Sequence, residues 1–448
     1  MIGDLKVAAP DAEALAAAAE QLLTSSVPWL RDRRRAAWDA FTAMPMPSSR
    51  TDEDWRRTDV SKLRLHRFTP SVDLDAALVD AIRARRNRAA ADSVLVIDGP
   101  DTALVEQSDA LDAAGVVVTS LADAARLHPE LVQRALAPLG VAESPFTALW
   151  NAQWRTGAFI YVPRSVHAAV PVWVAHPAQG DGTAAFGATV VLLEDDASLT
   201  LVDDYVSAAG ADEMLSDAVT LTTLGRDARL DHCVLQQWSA AVWHIALHRS
   251  VIGDNARLRF FGATLGARLQ KAYWEALLDG RGAEAEIDGL AFGDDEQHLD
   301  HQSLQAHRAP QTTSRFALKV AVRDRARSVY SGLIDVEPQA QQTDAYVQNR
   351  NLILGSEAIA DSVPRLEIRA NDVRCGHGAT AGHIDDEQRL YLMSRGVPAE
   401  EADRIIVRGF FDDALVHCPH PGVAALVGDL LDGELAGASL AGVDTVGA

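Results

Sequence analysis

A short turn that recurs through the middle of the chain constrains the fold more than any other feature of the sequence. The segments EDDASLTL, GRDARLDH, GDNARLRF, GRGAEAEI, RDRARSVY and GSEAIADS each place a polar or glycine turn before an alanine and a strand-like alternation after it. The alanines are Ala197, Ala228, Ala256, Ala283, Ala326 and Ala358, at spacings of 31, 28, 27, 43 and 32 residues. From about Phe159 onward apolar residues alternate with polar ones, β-branched residues are frequent and helical periodicity nearly vanishes. A turn-plus-strand unit repeated in this way buries its apolar face only by stacking on its neighbours. The pattern predicts a β-solenoid, with a β-sandwich as the alternative.

The flanks read differently. Residues 11–23 and 28–43 have helical composition, the second stretch opening at Pro28-Trp29 and ending before Met44-Pro45-Met46-Pro47, where prolines forbid continuation. Trp29, Trp38 and Trp55 are expected to be packing anchors, the usual role of large aromatics in helical segments. VLVI (94–97) and VVVTS (116–120) read as strands, and 121–137 as helical. Toward the other end, Asp385 with Gln388 suggests a capping box and Gly396 a stop, giving a helix from Asp386 to about Arg395. Pro398 then opens a second helix to about Asp413, on which Ala402, Ile405, Ile406, Gly409 and Phe410 repeat as one apolar face. Three regions follow: a mostly helical 1–155, a β core over 156–370 and a helical 371–448.

Residues able to do chemistry are few. Cys375 and His377 stand at i and i+2, so in an extended segment both leave the same face, and a thiolate beside an imidazole suits iron or a soft metal. On spacing alone, a buried cysteine and a hydrogen-bonded histidine at a strand end is the commoner outcome. His298, Asp300 and His301 form a second grouping that reads more readily as a hydrogen-bonded turn than as a metal site. His417, Cys418 and His420 fall where the second helix ends, and the helix dipole accounts for histidine there.

Composition narrows the function classes. The 448 residues carry a formal charge of -22, which argues against nucleic acid or an anionic membrane as partner. Three cysteines (233, 375 and 418) make a disulfide framework unexpected and fit a reducing compartment. Asp11, Glu13 and Glu20 interrupt the Ala-rich amino end and no run of 18 apolar residues occurs, so neither a secretory leader nor a membrane span is expected and the protein is read as cytoplasmic. The four lysines (Lys6, Lys62, Lys271 and Lys319) are none of them preceded by glycine, which excludes a P-loop. GxSxG, HExxH, CxxC and GxGxxG are absent too, a silence that favours a scaffold over an autonomous enzyme.

One family resemblance runs along nearly the whole chain. RCGHGATAGHIDDEQRLYLMSRGVPAEEADRIIVRGFF (374–411) is similar to the carboxy-terminal signature of the SufB/SufD family, scaffold subunits of the Suf iron-sulfur cluster assembly machine. DHQSLQAHRAP (300–310), YSGLIDV (330–336), QNRNLILG (348–355) and PRLEIRANDV (364–373) extend the match, and GAFIYVPRSV, WLRDRRRAAWDAF and DEDWRRTDV continue it more loosely. The resemblance implies a mainly β protein, a right-handed parallel β-helix core flanked by α-helical amino- and carboxy-terminal regions. No cysteine lies in VQNRNLILG, and Gly378 rather than Glu follows His377, so the chain resembles the SufD branch. Gly376 and Asn371 replace the branch's usual Ser and Asp. The resemblance further implies a heterodimer with a SufB-like subunit formed by sheet addition, and a homodimer when the chain is alone. It also implies one SufC-like ABC ATPase per arm, bound by the carboxy-terminal helices; the apolar stripe of the second of these cannot all be spent on the β core if Phe411 and Leu415 are buried too, so partner contacts are expected at Arg395, Ile405, Ile406, Arg408 and Phe410. A nascent Fe-S cluster or iron would be held transiently at the SufB interface by His377, with Cys375 beside it, and none would be bound stably by the isolated chain. ATP hydrolysis would belong to the partner. The rival readings are a β-helix carbohydrate-active lyase or hydrolase, which needs clustered carboxylates and is usually exported, and an iron-handling protein acting without SufC.

Overall fold

The recurring turns are built on residues in the left-handed backbone region. Asp196, Asp227, Asn255, Asp295 and Asp324 have φ of 56°, 59°, 51°, 48° and 54°, a conformation that short polar side chains tolerate, and Gly282 supplies it at 70° in the fourth turn of the series. Successive turns are laddered together. The Asp196, Asp227 and Asn255 amides each donate at 2.8 Å to the carbonyls of Arg226, Asp254 and Arg281 in the next turn. The Asp195 and Asp254 carboxylates accept from the Arg226 and Arg281 amides at 3.0 and 2.7 Å. Ala197, Ala228, Ala256, Ala283 and Ala326 are all buried where the chain folds inward.

The computed structural model describes residues 12–70 and 74–436, and it is a parallel β-solenoid of about 8 turns. Strands alternate between an 11-stranded and a 10-stranded sheet. The first contains, in chain order, Ala158–Val162, Ala188–Leu193, Met214–Leu224, Val242–Ile252, Leu269–Leu278, His298–His307, Arg327–Val336 and Ile359–Ile368. The second contains Val172–Ala178, Ser198–Ser207, Arg229–Gln237, Arg257–Thr264, Glu284–Gly293, Thr313–Val322, Thr343–Ile353 and Val373–Gly382. Each strand pairs in parallel with its counterpart in the next coil, which excludes the sandwich.

The register explains the irregular spacing of the turns. Ser198, Arg229, Arg257, Glu284, Thr313 and Asp344 align in one row of the second sheet, so the coils there take 27 to 31 residues. Ala197 to Ala283 lie on the edge leading into the second sheet, whereas Ala326 and Ala358 lie on the edge leading into the first. The 43-residue step is therefore one coil plus a change of edge. Thr312 takes the alanine position one coil after Ala283, where its hydroxyl bonds Thr343 at 3.1 Å and His307 at 2.7 Å.

The helices cover the outer faces. Glu13–Ser25 and Pro28–Ala43 form as expected, Asp11 lying outside the described residues. Trp150, Trp154 and Leu121 pack on Val190, Leu192 and Leu221 of the first sheet, and Phe41, Trp55 and Phe146 on Leu215, Trp243 and Ile245. Trp55 stacks on Phe146 with ring centroids 5.5 Å apart. Val94–Ile97 and Val117–Ser120 are strands, as expected, and extend the two sheets. Over the second sheet lie Ala76–Ala90 and the carboxy-terminal helices Ala399–Leu415 and Pro421–Leu435. No helix among the described residues is long and apolar enough to cross a membrane.

The solenoid continues through Val373–Gly382, beyond residue 370. Among the described residues Ile359–Ile368 and Val373–Gly382 are each paired on one side only, so both sheets end in a free edge at the same coil. Residues 1–11 and 437–448, the outer ends of the expected terminal regions, lie outside the described residues.

Candidate functional site

The free coil carries the cysteine and histidine singled out from the sequence. Leu199, Leu230, Leu258, Ala285, Ser314 and Ala345 form one inward-facing row of the second sheet, and Cys375 is its next member. Leu201, His232, Phe260, Ile287, Phe316 and Val347 form the adjacent inward row, which ends in His377. The same alternation that builds the apolar lumen thus points both side chains to one face, with no further coil above them. Cys375 is half-buried against the core, and burial pushes its thiol pKa up. His377 is exposed. A thiol and an imidazole on one face can ligate iron or a soft metal, but two donors leave the remaining positions open. On the opposite face Gly378 makes room for Tyr346, whose Oη would lie 2.9 Å from an added Cβ.

Beyond the coil, Asp386–Ser394 buries none of its residues. Asp385 accepts from the Glu387 amide at 2.8 Å, so it caps the helix without the reciprocal bond expected from Gln388. At the other end Gly396, with φ of 90°, closes a Schellman motif in which Gly396 and Val397 amides reach the Met393 and Leu392 carbonyls at 3.0 and 3.2 Å. Leu390, Tyr391 and Met393 stand 67%, 58% and 43% exposed.

Pro398 caps the following helix rather than occupying its first position. The face that packs on the second sheet is Val407, Phe411, Ala414 and Leu415, with Phe410 partly packed against it; of the apolar stripe read from the sequence, Ala402 is buried as well. Ile405 is 44% exposed, Ile406 and Phe410 are half-buried, and Lys319 lies over the Phe410 ring at 4.9 Å. Arg408 is tied to Asp412 and Asp432 at 3.3 and 3.2 Å. Arg395 is exposed over Tyr391, 5.1 Å from its ring centre.

The other sequence candidates separate. His301 faces the lumen, whereas Asp300 is outward and holds Lys271 at 2.6 Å, and His298 bonds Thr58 at 2.9 Å. The three do not converge. His420 accepts from the Val423 amide at 3.3 Å and caps the last helix, so it serves the start of one helix rather than the end of the other.

Sequence reasoning missed a polar network inside the lumen. Asp203 accepts from Thr189 at 2.7 Å, His232 at 2.9 Å, Thr220 at 3.0 Å and His176 at 3.2 Å. Burial disfavours the charge on Asp203, but the bonds from His176 and His232 outweigh it and hold the carboxyl well below its usual range. His176 also reaches Asp98 at 3.2 Å. Burial would lower the His176 pKa, yet its bonds to Asp203 and Asp98 raise it to about 9. Burial lowers that of His248 to about 3, and its Nδ1 has no partner. Asp203, His232 and His248 bring metal-capable atoms within 4.8 Å of one another, but both Asp203 oxygens already accept two hydrogen bonds each. The available signal was the appearance of His, Asp and Gln in the inward phase of otherwise apolar strands.

The described residues thus form a parallel solenoid that ends in two free edges with a Cys/His pair beside them. The description "SUF system FeS cluster assembly, SufBD core domain" matches residues 176–410, and "SufBD protein N-terminal region" matches residues 13–174. The chain belongs to the SufB/SufD family. It is 28% identical to the iron-sulfur cluster assembly protein SufD of Bacillus subtilis over 408 residues, covering 88% of this chain and 91% of that protein. It is 27% identical over 303 residues to SufBD family proteins of Staphylococcus saprophyticus and Staphylococcus epidermidis, covering 67% of this chain and 65% of each relative.

Proposed function

We propose that the chain is a non-catalytic scaffold subunit that pairs with a SufB-like subunit and binds a SufC-like ABC ATPase, so that a nascent Fe-S cluster is built at the paired solenoid ends. The observation that carries this reading is the shared free edge: both sheets stop at one coil, and that coil bears Cys375 and His377. Two ten-residue edges present unpaired backbone donors and acceptors, and strand addition by a partner satisfies them. The nascent cluster or iron is cargo, held by His377 and Cys375 together with ligands from the other subunit.

Leu390, Tyr391, Met393 and Ile405, with Arg395 beside them, form the face offered to the ATPase. The sheet-facing stripe of Ala399–Leu415 is already occupied by Val407 and Phe411, which leaves Ile405 free for a partner. The carbohydrate-enzyme reading loses support because acidic residues along the turns pair with arginines of the same or the next coil. Asp195 holds Arg226 at 2.8 Å and Asp294 holds Arg323 at 2.9 Å.

Co-expression with the SufB-like and SufC-like subunits, followed by gel filtration and iron and sulfide analysis, tests the proposal. A ternary complex carrying iron and sulfide is expected, together with an isolated chain that holds no stoichiometric cluster. A chain that elutes alone beside its intended partners would overturn it.

A further inference from the structure

Two thiols that the scaffold reading leaves unused meet on the outer face of the second sheet. Cys233 lies in Arg229–Gln237 between the inward-facing His232 and Val234, so alternation turns it outward. Cys418 lies in the connection between Ala399–Leu415 and Pro421–Leu435. Their Sγ atoms are 3.8 Å apart although 185 residues separate them in sequence. Cys233 is fully buried, and Cys418 keeps 8% exposure at the rim of the seam.

The two thiols are chemically unequal. Contact with the Cys233 thiol favours the ionised form of Cys418 over the opposing effect of burial, with the nearby Arg259 adding to it. Burial instead pushes the Cys233 thiol well up. The rim cysteine is therefore the one an oxidant meets first, and the buried one, in contact with it, is placed to resolve it. Closing from contact to a bond shortens the S–S separation by roughly 1.8 Å, a movement on the scale of a side-chain rotation at a connecting turn.

We propose that Cys233 and Cys418 form an oxidative cross-linking site, which an oxidant of the peroxide class converts to a disulfide clamping the carboxy-terminal helices to the solenoid. The Cys418 thiolate attacks a peroxide oxygen, an S–O bond forms and the O–O bond breaks. The released hydroxide takes a proton and leaves as water. The Cys233 sulfur then attacks the Cys418 sulfur, the S–S bond forms and the S–O bond breaks, and the departing hydroxide leaves with the Cys233 proton as a second water. Two thiols lose two electrons in all, and one peroxide becomes two waters. The clamp closes over the seam of Val407, Phe411, Ala414 and Leu415, and it does not depend on what docks on the exposed face.

The test treats the full chain with hydrogen peroxide, alkylates residual thiols under denaturing conditions, and digests without reductant for mass spectrometry. The principal cross-linked species is expected to join the Cys233 and Cys418 peptides and to disappear with dithiothreitol. Tryptic cleavage at Arg404 and Arg408 is expected to slow roughly tenfold on oxidation, because local opening of the helices is then tied to the sheet. Cys375, half-buried at the open coil, reports that the oxidant has acted. Oxidised Cys375 with no Cys233-Cys418 species overturns the proposal. Slowed cleavage that persists in a folded Cys418→Ser variant overturns the clamp, and the oxidised and reduced wild-type chains give the decisive comparison if that variant does not fold.

Discussion

Asp203 keeps its charge inside the solenoid because four donors converge on it, and that makes its removal costly. Asp203→Ala would strip the buried His176 of one of its two carboxylate partners and leave Thr189, Thr220 and His232 with unmet donors. Breaking a buried charge pair from one side typically costs about 3–5 kcal/mol, so a correspondingly lower denaturation midpoint in urea is expected. A midpoint within error of wild type would show that water or a neighbour compensates. His377 carries the opposite expectation, since it is exposed and packs beneath no further coil. His377→Ala should leave complex assembly and melting intact while cluster formation in vivo falls sharply, and Cys375→Ser should be milder. Full activity of the His377 variant would reduce that residue to the end of an inward row.

At the scale of single elements, the helix Ala399–Leu415 contains its own control. Val407 is buried on the sheet and Ile405 is exposed two positions earlier, so Val407→Glu should unfold or loosen the helix whereas Ile405→Glu should leave circular dichroism native. If Ile405 meets the ATPase, the charge costs on the order of 3 kcal/mol and about two decades of affinity, read as loss of pull-down. Unchanged capture would place the ATPase elsewhere. The start and length of this helix were legible to within one or two residues, because Pro398 and the glutamates are local signals, although Pro398 is its cap and not its first residue. Phe411 and Leu415 are buried and Ile405 is exposed, as expected, but Val407 was not separable from its neighbours, because Ile405, Ile406 and Phe410 satisfy helical spacing as well as Val407, Phe411 and Leu415 do, and only the position of the second sheet decides between them. The solenoid turns were legible for a similar reason, all six needing a small residue and five of them a left-handed one. The change of edge between Ala283 and Ala326 was not, since both edges use the same turn chemistry. The lumen network escaped because nothing local distinguishes an inward His232 from an outward one until the register is known.

For the molecule as a whole, buried histidines set the pH range of stability. Burial lowers the pKa values of His248, His301 and His307 to about 3, 4 and 4, against 6.5 for an ordinary histidine. The unfolded chain therefore binds more protons than the folded one between those values, and stability rises with pH across that window. Each such group forfeits on the order of 3 kcal/mol once the pH falls to about 4, so the melting temperature should drop steeply between pH 6.5 and 4. His176 acts in the other direction: its folded value of about 9 means a contribution present below 6.5 and lost as the pH rises toward 9. A melting temperature flat from pH 7 down to 4 would contradict the burial of these rings. The central claim, however, concerns the open end of the solenoid, where two sheets stop together beside Cys375 and His377. Hydrogen exchange on this chain, alone and with its SufB-like partner, addresses that end directly. Backbone amides of Ile359–Ile368 and Val373–Gly382 are expected to exchange rapidly in the isolated chain and to become protected in the complex, while strands in the middle of the solenoid stay unchanged. A stable complex that leaves those two strands as fast as before would contradict the account.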